Sequence, residues 1–155
     1  MDKVPLITLL FYSLPESFLI FSFGLVIYKK VIKPAPIVLA TVCSVLSSYI
    51  ARLLPLPYGV HTIIGFLVVF ILFYTVLGLS IKQSLLSALL SLGTLVALEN
   101  TILNFIQYYL HFSVKDVIAL SPLDKTLIGW PHLFVWAVLT FFIKKKYLTN
   151  QTTVC

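Results

Sequence analysis

Apolar residues run along this chain in long blocks, with polar and charged residues gathered where one block ends and the next begins. Blocks of about 18 or more apolar residues are long enough to cross a membrane as helices. Five such blocks account for nearly the whole chain, over about 4–28, 36–54, 60–80, 84–110 and 126–143. The first ends at "YKKVIKP" and the last at "IKKKY". Between blocks two and three, "LPLPYG" predicts a tight turn: its prolines stop one helix, and Gly59 lets the next begin. "IKQ" is an equally short turn between blocks three and four. Short turns make helices two, three and four antiparallel neighbours. The pattern predicts an all-α integral membrane protein, one domain over 1–155 built as a bundle of five transmembrane helices.

The long connection, about 111–125, carries two capping signals, "SVKD" at 113–116 and "SPLD" at 121–124 with Pro122 at a first helical position. These predict one or two short interfacial helices on the outer surface. The tail after Tyr147 is expected to be too short to fold.

Charge then orients the bundle. Lys29, Lys30, Lys33, Lys82, Lys144, Lys145 and Lys146 fall on one side, with no acid among them. Lys3, Arg52, Lys115 and Lys125 fall on the other, set against Asp2, Asp116 and Asp124. An excess of Lys and Arg marks cytoplasmic loops. The N-terminus is therefore expected outside and the C-terminus in the cytoplasm.

Composition agrees with a membrane protein. Hydrophobic residues make up 60% of the chain and charged ones only 10%, against roughly a quarter in soluble domains; mean hydropathy is +1.07. The net charge of +6 does not indicate nucleic acid, because the lysines cluster at block ends rather than on one binding face. Cys43 lies within an apolar block and Cys155 is the last residue, so no disulfide framework is expected. The first block is too long for a secretory signal's apolar core and is expected to remain as a mature helix.

Within this apolar background a few polar residues need a reason. Glu16 and Glu99 both fall near mid-depth of their blocks, and Arg52, the only arginine, stands near the outer end of block two. A guanidinium suits bidentate pairing with a carboxylate, so an Arg52 pair with Glu16 or Glu99 is expected, Glu16 being favoured. The alternative is that both carboxyls are protonated and hydrogen-bond within the bundle. Thr41, Ser44, Ser48 and Arg52 share one helical face of block two. In block four, Ser84, Ser87, Ser91 and Thr94 form a small face suited to close helix contact. Asn100, Asn104, Gln107 and His111 form an amide-rich face that either bonds to a neighbouring helix or lines a wet, outward-open cavity. His61, just past the outer turn, joins these candidates for ligand binding or switching.

Catalysis is not expected. Cys43 belongs to the inner half, whereas His61, His111 and His132 are all outer. The three aspartates lie outside the blocks, no metal-ligand spacing is present, and no cofactor is implied.

"LPES" in block one, "RLLPLPYGVHT" across the outer turn, the glutamate of block four and "WPH" in the last block carry a resemblance. Together they resemble the multi-pass input regions of bacterial sensor histidine kinases with a GHKL-type ATPase, broadly like the quorum-sensing kinases that detect secreted peptides. The likeness covers nearly the whole chain and is strongest at 14–16 and 52–62. In those kinases a dimerisation helix and an ATPase domain follow the last span, whereas this chain runs only nine residues past Lys146. The resemblance implies a non-enzymatic sensory or regulatory module in a bacterial cytoplasmic membrane. Such a module would bind an external small peptide or lipid-like ligand and signal through a histidine kinase or another membrane partner. The competing expectations are a small proton- or cation-coupled transporter using Glu16 and Glu99 and, third, an intramembrane enzyme.

Overall fold

The computed structural model describes residues 9–30, 33–54, 60–110 and 122–152. Among these the chain is all helical: α1 (Leu14–Ile27), α2 (Pro34–Leu53), α3 (Val60–Thr75), α4 (Ile81–Leu110) and α5 (Pro122–Thr152), with no strand. Each apolar block thus forms one helix. Two of them, over Pro34–Ala51 and Ile81–Tyr109, are long and apolar enough to cross a membrane; Phe11–Ile27 and Val60–Thr75 are shorter apolar helices.

Three local features differ from the sequence expectation. The first helix is not regular throughout, because a π-helical turn over Leu9–Ser13 precedes α1. Pro15 sits in the first turn of α1. It offers no N–H to the carbonyl of Phe11, and its ring crowds that carbonyl, so a regular α-turn cannot close there. The wider π-turn accommodates the proline. Secondly, "SPLD" does not start a separate interfacial helix. Pro122 is the first residue of α5, which continues unbroken through Pro131. The helix also runs on to Thr152, past Tyr147, where no structure was expected. Thirdly, α3 stops at Thr75 rather than near 80, since Gly78 takes the left-handed conformation (φ +65°) and turns the chain toward α4. The "SVKD" signal and His111 lie outside the described residues.

Helix ends follow their sequence signals. Ser80 and Gln83 form a reciprocal capping box at the start of α4. The Gln83 N–H donates to Ser80 Oγ (3.4 Å), and the Ser80 N–H donates to Gln83 Oε1 (3.3 Å). At the end of α1, Lys29 adopts φ 54°, and the Lys30 N–H donates back to the Leu25 carbonyl at 3.1 Å. This is a left-handed helix stop of the kind usually made by glycine.

α1 is the central helix. It packs on α2, α4 and α5, while α3 lies between α2 and α4, and α4 also meets α5. The core gathers around Phe21, Phe73, Ile37 and Trp136, all fully buried. Phe21 meets Phe73 edge-to-face (centroids 5.2 Å apart), and Phe23 meets Trp136 likewise at 5.8 Å. Close approach of α1 and α4 needs small residues. A Cβ at Gly24 would run into the Phe73 ring and come within 3.2 Å of Ser87 Cβ, and Ser87 Oγ donates to the Gly24 carbonyl at 3.2 Å.

The polarity of the bundle is inverted. Ser17, Ser22, Thr41, Ser44, Ser84, Ser87, Ser91 and Thr140 are buried. Large apolar side chains instead face outward on α2 (Val38, Leu46, Ile50), α4 (Leu86, Leu89, Leu90) and α5 (Phe134, Phe141, Phe142). Exposed apolar faces of this kind mark surfaces that meet lipid or another protein.

Candidate functional site

Four helices leave a polar cavity of about 310 Å³ between them. The face of the first helix contributes Ser13, Glu16 and Ser17, at steps of three and one that keep them on one side. α2 contributes Ser44, Ser47, Ser48 and Ala51; α3 contributes His61, Thr62 and Gly65; α4 closes the space with Leu92, Leu95 and Val96. Glu16, Ser48 and His61 are half-buried, Ser17 and Ser44 buried. Nδ1 of His61 is buried with no hydrogen-bond partner among the described residues. A carboxylate, an imidazole and several hydroxyls therefore face one small space with aliphatic walls. That set can hold a small ligand with a polar group presented to Glu16 and His61 and an apolar part against Leu92 and Leu95. Volume and lining fit the usual ligand pocket, mostly apolar with a few convergent polar groups.

Of the residues singled out from the sequence, the structure brings Glu16 and His61 together here. It places the amides elsewhere. Asn100 and Asn104 are exposed and Gln107 is half-buried, all three outside this lining. The Asn100 side-chain amide donates to its own helix at the Val96 carbonyl (2.8 Å). The three amides stand one to three turns beyond Val96, the last residue of α4 in the lining. Arg52 follows the cavity residue Ala51 in α2, but its side chain lies outside the described residues, as does His111.

Glu99 belongs to a second polar cluster. His132 of α5 is 2% exposed, and its Nε2 is hydrogen-bonded to the Tyr12 hydroxyl at 3.4 Å. The two rings meet edge-on (centroids 5.8 Å, 69° between planes). Glu99 is close enough to act on the imidazole electrostatically. One turn earlier in α5, a Cβ at Gly129 would strike the Tyr12 ring. Tyr12 is thus a knob seated between Gly129 and His132. Sequence reasoning missed both Tyr12 and His132; the usable signal was a glycine and a histidine three residues apart in an apolar helix.

A separate apolar groove of about 580 Å³ runs over α1 between α2 and α5. Leu14, Phe18, Val38, Val42, Trp130 and Phe134 line it, with no charged side chain. Among the described residues, no three His, Cys, Asp or Glu gather as a metal site.

No protein-family model, curated protein or solved structure matches this chain.

Proposed function

We propose that this chain is a five-span membrane module that receives a small external ligand in the Glu16–His61 cavity and passes its state to a partner protein. The observation that carries the reading is the cavity, in which two ionisable side chains and a set of hydroxyls share one space inside an apolar-jacketed bundle. Intramembrane ionisable groups facing a bundle interior are functional by default. In this reading the shorter apolar helices and α5 also span the bilayer, with the lysine-bearing turns and Lys144–Lys146 in the cytoplasm. The resemblance to sensor-kinase input regions supports a bacterial cytoplasmic membrane, a small peptide or lipid-like ligand, and a histidine kinase as partner.

Cysteine accessibility tests it. In a Cys43→Ser, Cys155→Ser background, Ser48→Cys is expected to react with a membrane-impermeant thiol reagent added outside. Ser91→Cys, at a fully buried packing position, is expected to stay inert. Equal inertness of the two would remove the open cavity and the ligand reading with it. A second reading has one observation in its favour. Glu16 and His61 facing a common cavity also suit a proton- or cation-coupled transporter, and coupled flux in liposomes would decide for it.

A further inference from the structure

We propose that Tyr12 is a positioning residue that couples the cavity to α5, so that what fills the cavity sets how the last helix sits. The inference rests on the cavity reading for its meaning, while its geometry stands independently.

Tyr12 and Ser13 are consecutive residues of the π-helical turn, yet they serve opposite sides. The Tyr12 ring is held by Gly129 and His132 of α5. Ser13, with Glu16 and Ser17 one turn on, faces the cavity. Neighbouring residues of a helix point about 100° apart, so this turn cannot rotate without moving both groups together. The turn is also the part of the helix best able to rotate. A π-turn carries one residue more than the α-helix would, and such turns occur chiefly at functional sites. Passing that extra residue along the helix rotates the segment by about one residue's angle. Pro15 limits the movement on one side, since its missing N–H prevents a regular α-turn from forming across it.

The far contact is a close steric fit joined by a long hydrogen bond of 3.4 Å. Only a glycine at 129 leaves room for the ring, and the hydrogen bond to a buried imidazole fixes its edge. A shift of Tyr12 must then be taken up by α5 or by loss of that bond. α5 is continuous from this contact to the lysines at 144–146, so the displacement has a direct route to the other end of the bundle.

The test uses the full chain labelled with 5-fluorotryptophan and read by ¹⁹F NMR. Its two tryptophans give two resonances. Trp130 stands within the α5 turn that holds Tyr12; Trp136, on the route toward the lysines, packs on Phe23 in the core. The cavity is filled from helices that do not carry Tyr12, by Ser48→Leu on α2 and, as a second variant, Gly65→Leu on α3, where a Cβ meets nothing within 4 Å. Each is expected to move the Trp130 resonance by more than its linewidth, and that of Trp136, six residues further along the same helix, with it. Adding Tyr12→Ala should abolish the response. A Trp130 resonance unmoved by both fillings, or moved as much without Tyr12, overturns the coupling. Movement of Trp130 alone overturns the transmission along α5. The thiol-labelling result is separate. An unlabelled Ser48→Cys sinks the ligand reading, while the NMR response still decides the mechanical link.

Discussion

Two glycines within helices make opposite predictions from the same substitution. Gly24 of α1 faces α4 and α3, where an added Cβ overlaps the Phe73 ring and approaches Ser87 Cβ to 3.2 Å. Phe73 cannot swing aside, being fully buried and braced edge-on by Phe21. Forcing an extra methyl into such a contact costs about 1–3 kcal/mol. Separating the helices also strains the Ser87–Gly24 hydrogen bond, and interhelical bonds of this kind average about 0.6 kcal/mol in membranes. Against this, alanine gains about 0.5–1 kcal/mol over glycine within a helix. Gly24→Ala is therefore expected to destabilise by about 1–3 kcal/mol. Gly93 of α4 has nothing within 4 Å of its would-be Cβ, so Gly93→Ala keeps only the helical gain, about 0.5–1 kcal/mol. The assay is reversible unfolding by SDS in mixed micelles, followed by circular dichroism and tryptophan emission. The double substitution should give the sum, since the sites share no partner. If Gly24→Ala proves as harmless as Gly93→Ala, the close α1–α4 crossing is wrong.

Two further expectations are simpler. A reporter fused after Tyr147 should be cytoplasmic and one inserted near Ser121 external; the same side for both refutes five spans. Lys29 holds a left-handed conformation that costs a non-glycine residue roughly 1–2 kcal/mol, so Lys29→Asn should raise stability by up to about 1 kcal/mol in the same SDS assay, and a loss there would mean that the lysine's own contacts outweigh the strain.

Helix content was legible because the apolar blocks are separated by breaks such as "LPLPYG", although "IKQ", read as a turn, forms the first residues of α4. The serine face of α4 was legible too, since small residues at steps of three and four have one obvious use; Ser84, Ser87 and Ser91 are fully buried. Periodicity could not reveal which polar face meets which. The amides of α4 form the more conspicuous stripe, but Asn100 and Asn104 lie one and two turns beyond Val96, where the α4 lining ends. The cavity instead gathers two or three polar groups from each of three helices, and no single helix displays that pattern. Pro131 lies inside α5, as it does inside the block read over about 126–143. Tyr12 was hidden by its type, because an aromatic near the end of an apolar block reads as an interfacial anchor.

The inverted polarity has a thermodynamic consequence. Soluble domains owe the curvature of their stability with temperature to apolar surface that meets water on unfolding, which raises the heat capacity by about 12–15 cal/mol/K per residue. Here Leu86, Leu89, Phe141 and Phe142 are already outside, and helix separation would uncover Ser84, Ser87 and Ser91 together with Phe21, Phe73 and Trp136. In a bilayer both sets stay in hydrocarbon whether the helices are together or apart. Helix dissociation then transfers almost nothing to water. Its free energy should vary nearly linearly with temperature, with no interior maximum and no low-temperature unfolding, a bundle governed by contact enthalpy and chain entropy rather than by hydration.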